Sequence, residues 1–233
     1  MTELVKVVGV GAGGHAKILV ELLEQTRIYE LVGFTDVDRT RWGAKLMGYP
    51  VLGGDEVLAE LYAKGVRAAF IGVGAVSSGG TKLRERLFRQ LAEIGFEMPT
   101  LIHSKAAVSP SASIGVGSVV LAGVVISSDV RVGDNVVVYS GTVIEHDSVI
   151  ESHVLLSPGV MIAGGVKIHE GTFVGIGASI IQGVSVGRWT TIGAGAVVLK
   201  HLNDNVVAVG VPARPVREMR ATPPDYSSQE LDT

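Results

Sequence analysis

The chain has 233 residues, enough for one or two domains, with 47% hydrophobic and only 5% aromatic residues. A formal charge of −3 and an isoelectric point near 6.1 give no electrostatic footprint for nucleic acid or an anionic membrane. The absence of cysteine removes disulfides, thiolate metal sites and a cysteine nucleophile together. No run of about eighteen apolar residues could span a bilayer, and the first residues lack the basic and long apolar regions of a secretion signal, which predicts a cytoplasmic protein.

Residues 1–97 alternate strand and helix, as a Rossmann-like half-domain would. Val5 to Val10 is an apolar run of strand length, and after a glycine cluster Ala16 to Gln25 carries Ile18, Leu19, Leu22 and Leu23 at helical spacing. Tyr29 to Thr35 reads as a second strand. Gly54-Asp55 opens a helix through Tyr62 that stops at Gly65. Ala68 to Val73 is a third strand, and Thr81 to Glu93 a third helix with Arg and Lys on its outer face. This βαβαβα order predicts a parallel sheet flanked by helices, joined by Gly95 to Thr100 to the rest of the chain.

Behind the first strand, Gly9-Val10-Gly11-Ala12-Gly13-Gly14 satisfies G-x-G-x-x-G, and Asp36 closes the second strand. Such glycines let backbone N–H groups close on a phosphate at a helix N-terminus, while an acid accepts ribose hydroxyls. A dinucleotide needs two mononucleotide-binding halves and this segment supplies one, so a single nucleotide unit or an unliganded tight turn are the two readings. His15, next in line, either donates to a ligand or caps the helix and is solvated.

From Val108 to Val198 every sixth residue is a branched aliphatic, and Ile102 extends the phase backwards. With about a third of residues Val, Ile or Leu, chance gives such a run with odds on the order of 10⁻⁸. The position two residues before each aliphatic never exceeds Val in size. A period of six fits neither a helix nor a half-buried strand, but it fits a solenoid of short parallel strands with three faces per coil. At the ~4.8 Å strand spacing, roughly five coils make a prism about 25 Å long over residues 102–205. An antiparallel sandwich would space its strands irregularly. Gly115, Gly133, Gly175, Gly187 and Gly193, each just after an aliphatic, are expected at corners needing unusual backbone angles. The phase fails at Asp204. Pro212, Pro215, Pro223 and Pro224 are then expected to exclude further strand or helix, leaving residues 206–233 as a tail whose polar last dozen residues are disordered.

Six histidines are present: His15, His103, His146, His153, His169 and His201. His146 lies between Glu145 and Asp147 in mid-prism. A neighbouring carboxylate raises histidine basicity and fixes its tautomer, as a general base requires. On spacing alone, an exposed corner histidine among solvated charges is the simpler account.

These features together resemble the bacterial sugar acyltransferases of the hexapeptide-repeat, left-handed β-helix superfamily. The nearest branch holds sialic-acid O-acetyltransferases and UDP-4-amino-sugar N-acetyltransferases. The resemblance covers about residues 4 to 217. It rests on Gly11-Ala12-Gly13-Gly14-His15-Ala16-Lys17, Gly33-Phe34-Thr35-Asp36, Leu101-Ile102-His103, Glu145-His146-Asp147 and Gly210-Val211-Pro212-Ala213-Arg214. It implies a homotrimer with active sites between solenoids, a nucleotide-sugar on the N-terminal domain and acetyl-CoA along the prism. The family's base maps onto His146 and the residue increasing its basicity onto Asp147. Gly13, Gly14, His15, Asp36 and Gly54 map onto substrate contacts, and Leu155, Ile176 and Ala194 onto the acetyl-CoA side. Two departures stand out: Leu155 replaces a histidine that touches CoA, and Tyr139 replaces an asparagine. Val73 to Gly80 also lacks the usual Gly-Asn or Gly-Asp.

The implied activity is acetyl-CoA-dependent N-acetylation of a UDP-4-amino sugar for surface glycan or glycoprotein synthesis, with His146 as base and no metal. With no cysteine and no evident activated serine, no covalent intermediate is expected. O-acetylation of a sialic acid is the alternative. A carbonic-anhydrase-like zinc protein using His146, His153 and His169 is a more remote one. A nucleotide sensor and a nicotinamide oxidoreductase complete the set.

Overall fold

The computed structural model describes residues 4–218. Val5–Val10 (β1), Tyr29–Thr35 (β2), Tyr49–Gly53 (β4) and Ala68–Ile71 (β5) form a parallel sheet in the order β4-β2-β1-β5, and Lys45–Leu46 (β3) adds antiparallel to β4. Gly14–Thr26 (α1), Leu58–Ala63 (α2) and Ser78–Ile94 (α3) accompany it. Val7, Val8 and Val10 are buried because β1 is central, with layers on both faces.

The sequence reading omitted the β3–β4 pair, a short hairpin turned at Met47-Gly48, both at positive φ. The helix expected from Gly54-Asp55 through Tyr62 is present, beginning as the 3-10 turn Asp55–Val57 and continuing as α2. β5 stops at Ile71, two residues early. Arg84, expected on an outer helix face, is buried.

Beyond Phe96, a strand of two residues recurs every six, from β6 (Leu101–Ile102) to β22 (Val197–Val198). Partners lie 18 residues apart and parallel, as in Val125↔Val143 and Val143↔Met161, so three sheets run along the prism. Ile126, Ile144, Ile162 and Ile180 point inward and are buried, as are Val124, Val130, Val136 and Val154 from the restricted position. Each strand turns a second residue outward. This is the three-faced parallel solenoid that the period of six predicts, and the β-helix that the family resemblance implies.

The corner glycines are not the expected ones. From Ile114 to Ile192 positive φ falls three residues after each aliphatic, at glycines such as Gly117, Gly141, Gly165 and Gly195, and at Asp129, Asn135, Asp147, His153 and Trp189 where glycine is missing. Gly115, Gly133, Gly175, Gly187 and Gly193 serve close packing instead: a Cβ on Gly175 would lie 2.6 Å from the Ala194 amide nitrogen of the next coil.

The outward rows give each face its character. Leu101, Val119, Leu155 and Phe173 are covered by the N-terminal domain, packed with Leu19, Leu22 and Leu23 of α1. Arg131, Lys167 and Ser185 make a polar face. Val125, Val143, Met161 and Val197 make an apolar one on which Val125 and Met161 are exposed.

After the phase break, Val206–Val209 (β23) still pairs with Thr191–Ile192, and Arg214–Glu218 (β24) pairs antiparallel with β23. Pro215 thus sits in a strand, contrary to expectation. It is tolerated because β24 is an edge where a missing N–H is harmless. Pro223, Pro224 and the last dozen residues lie outside the described residues. Among the described residues, no helix is long and apolar enough to cross a membrane.

Candidate active site

The C-terminal edge of the parallel sheet gathers the glycine loop, Asp36 and Gly54. Gly11 has φ 93°, and a Cβ there would lie 2.6 Å from Val73 Cγ2, so glycine is required. Gly13 caps α1 without a side-chain hydrogen bond, and no acid lies in the first turn. Around Gly13 and Gly14 an added Cβ would meet nothing within 4 Å. That open backbone at a helix N-terminus suits a phosphate. Asp36 ties the loop down: Oδ2 accepts from the Ala12 amide at 2.8 Å and Oδ1 from the Asp38 amide at 2.9 Å. Arg41 Nη1 donates to the Ala12 carbonyl at 2.8 Å. The Asp36 amide donates to the Gly53 carbonyl at 2.9 Å, which sets Gly54 beside it.

His15 neither caps nor is solvated. It is 8% exposed, with Nδ1 3.0 Å from the Tyr139 hydroxyl of the solenoid and Nε2 buried without a partner. Burial, and secondarily the Arg84 charge, lower its pKa to about 3. Arg84 crosses the same junction. Its Nη1 donates to the Ile71 and Val73 carbonyls and its Nη2 to Asn135 Oδ1 of the solenoid at 3.0 Å. Nothing in the spacing of Arg84 or Asn135 announced this, because both depend on how the two halves dock.

One residue expected on the acetyl-CoA side proves inaccessible. Leu155 is 1% exposed under the N-terminal domain and has no surface for a ligand. His153 is at a corner with φ 65°, buried against Phe88 and 3.0 Å from Asn135 Nδ2. Burial lowers its pKa. It is therefore closed to a shared zinc site. Among the described residues no group of three or more His, Cys, Asp or Glu is placed to hold a metal.

His146 is the opposite case. Its side chain is 63% exposed, and Nδ1 lies 2.9 Å from Asp147 Oδ2. Asp147 turns the corner at φ 60°, a conformation Asp tolerates better than most residues. The hydrogen bond to Asp147 raises the His146 pKa, and the charges of Asp147 and Glu145 reinforce it against slight desolvation. With Nδ1 held by a carboxylate, Nε2 is the nitrogen left to work.

Corners stack as columns because hydrogen bonds link residues one coil apart. The Gly165 amide donates to the His146 carbonyl at 2.8 Å, and the Gly195 amide to the Ile176 carbonyl at 2.8 Å. Ile176 and Ala194 are exposed on a column that also holds Ser140, next to Tyr139. The His146 column lies across the apolar face from it. Within one chain, then, the glycine loop and the Ile176–Ala194 corner share one side, and His146 stands apart.

His169 and His201 belong to the polar face, both bonded to Ser185. His169 Nδ1 lies 3.1 Å from Glu151 Oε1 and Nε2 3.1 Å from Ser185 Oγ, a serine–histidine–carboxylate line the sequence did not reveal. The amides of His169, Ser185 and Gly187 are all engaged, with Val186, His201 and Leu202, so none of these three can stabilise an oxyanion for Ser185.

Comparison with known proteins places these features. Residues 6–91 match the family model for the PglD N-terminal domain, and residues 165–200 match that for the bacterial transferase hexapeptide, six repeats. None of the curated protein sequences matches the chain. Among solved structures, a histidine-to-asparagine mutant of perosamine N-acetyltransferase from Caulobacter crescentus, in complex with CoA and GDP-perosamine, is 37% identical. The match covers 91% of this chain and 97% of that one, with a TM-score of 0.84. The acetyltransferase domain of PglB from Neisseria gonorrhoeae, in complex with acetyl coenzyme A, is 33% identical over 92% and 100%, with a TM-score of 0.81. WeeI from Acinetobacter baumannii is 26% identical over 91% and 100%, with a TM-score of 0.79.

Proposed function

The chain belongs to the hexapeptide-repeat sugar acetyltransferase family, and from that membership we infer that it transfers the acetyl group of acetyl-CoA to the amino group of a nucleotide-linked sugar. The observation that carries the reading is the exposed His146 imidazole, held at Nδ1 by Asp147 on a solenoid whose companion domain presents an open glycine loop. His146 Nε2 removes a proton as the sugar nitrogen attacks the thioester carbonyl. The C–S bond then breaks, and CoA leaves as the thiol by taking the proton that His146 held, which returns the imidazole to its neutral form. Asp147 stabilises the imidazolium.

Gly13 and Gly14 receive the diphosphate, while Asp36 and Gly54 border the nucleoside. His15 stays neutral at working pH; with the Tyr139 hydroxyl donating to Nδ1, its proton is on Nε2, which the junction buries, so His15 fixes the wall behind the glycine loop and does not itself reach the substrate. Ile176 and Ala194 line the acetyl-CoA corner. Because His146 lies one full face from that corner, the working site joins two chains, and the apolar row Val125, Val143, Met161 and Val197 provides the surface for a homotrimer. His146→Ala is expected to lower kcat roughly 10²- to 10⁴-fold in an acetyl-CoA consumption assay with nucleotide-linked amino sugars. Near-normal turnover in that variant overturns the assignment.

A further inference from the structure

Gly164 is a glycine with no backbone reason to be one. It follows His146 by one coil and occupies the same corner column, where the Gly183 amide donates to its carbonyl at 3.0 Å. Its neighbour Gly165 has φ 66° and meets the demand of the turn, whereas Gly164 does not lie in the left-handed region. The equivalent corner position, two residues after the inward aliphatic, elsewhere carries Val116, Asp134, Ser152, Glu170, Gln182 or Arg188. Gly164 is the only glycine at that position between Ser104 and Lys200. The corner accepts side chains of every size and charge, so something local to this coil excludes one.

What excludes it is the imidazole. A Cβ on Gly164 would lie 2.7 Å from both Cε1 and Nε2 of His146 and 3.2 Å from Nδ1. Real Cβ atoms do not approach that closely, so the ring occupies the volume that any other residue at 164 would fill. A side chain 63% exposed and tied by one hydrogen bond has other rotamers within reach. The bare backbone of the next coil lets the ring settle against the prism, with Nδ1 on Asp147.

We propose that Gly164 is a positioning residue for the acetyl transfer, holding the His146 ring in its working orientation by the absence of a side chain. The proposal rests on the reading of His146 as general base. Gly164→Ala displaces only the tip of an exposed side chain, so the fold is left intact and the ring moves. We expect kcat to fall roughly 10- to 100-fold through misorientation of the reacting groups. KM for acetyl-CoA and for the nucleotide sugar, and the melting temperature, should stay close to wild type. Introduced into His146→Ala, the same substitution should cost nothing further.

A second readout does not depend on turnover. In an NMR titration of the histidine Cε1–H signals, assigned with His146→Ala, the His146 pKa should be lower in Gly164→Ala than in wild type, because the bond to Asp147 is lost. Normal kcat in Gly164→Ala beside an inactive His146→Ala overturns the positioning role and leaves the base assignment standing. Additive losses in the double variant overturn it too, since Gly164 would then act through another group. Should His146→Ala turn over normally, the base assignment falls and the positioning role in the transfer falls with it; a lowered His146 signal would then show only that Gly164 sets the orientation of the ring.

Discussion

His15 and His146 are the same side chain placed in opposite surroundings. His15 is sealed at the junction between the two halves, bonded to a tyrosine and close to a buried guanidinium, and its pKa drops to about 3. His146 stands in solvent on a solenoid corner with a carboxylate on its Nδ1, and its pKa rises. Desolvation dominates in the first case and a charged hydrogen bond in the second. The contrast separates the roles: a permanently neutral imidazole can only donate or accept a hydrogen bond, whereas an exposed one whose charged form a carboxylate stabilises can carry a proton.

The contrast can be broken most severely at the apolar face. If the working site needs His146 of one chain and the glycine loop of another, Met161→Asp, at a position 47% exposed, should dissociate the proposed homotrimer and abolish turnover. Sedimentation equilibrium should then give the 24.3 kDa of a single chain; a trimeric, active variant would rule out that surface. A smaller effect is expected from Asp147→Asn. The amide cannot stabilise the imidazolium, so kcat should fall by roughly 10- to 100-fold. A histidine base works when neutral, above its pKa; lowering that pKa should move the acid limb of the kcat–pH profile to lower pH. An unmoved limb would show that Asp147 does not tune His146.

The smallest effect concerns His15 and is read as stability. Its folded pKa lies below the ordinary value of 6.5, so the unfolded chain takes up the proton first. The contribution is complete above pH 6.5 and is lost as pH falls toward 3, by at most about 1.4 kcal/mol per pH unit. His15→Gln removes that slope. Denaturant unfolding at several pH values should show wild type losing stability faster than the variant below pH 6.5. Parallel curves would mean that His15 is not sealed.

The solenoid was legible because one repeating unit writes itself directly into side-chain spacing. Ile126, Ile144 and Ile162 stack because they are 18 residues apart, and no other part of the molecule is needed to see it. The glycines misled by two residues, because Gly115 and Gly175 answer to the backbone of the next coil, while the turn itself falls at Gly117 and Gly177. The burial of Leu155, Arg84 and His153 was not legible for a shared reason: it is created by the docking of the N-terminal domain on one face, and no local pattern encodes docking. The short β3 escaped notice since two residues carry no periodicity. Gly164, by contrast, was visible in the register all along, as the lone glycine in a column of substituted corners.

The closing strands β23 and β24 have a consequence for the prism as an object. A stack of coils ends in unpaired N–H and C=O groups, an invitation for another molecule to continue the pile. Here each of the last rungs is sealed. Leu202 bridges to Val186, Gly210 and Ala213 bond to Val197, and β23 extends the third sheet to an edge strand carrying Pro215. End-on growth into fibres is blocked by a few residues that break the repeat, so the chain's least regular segment keeps its most regular one finite.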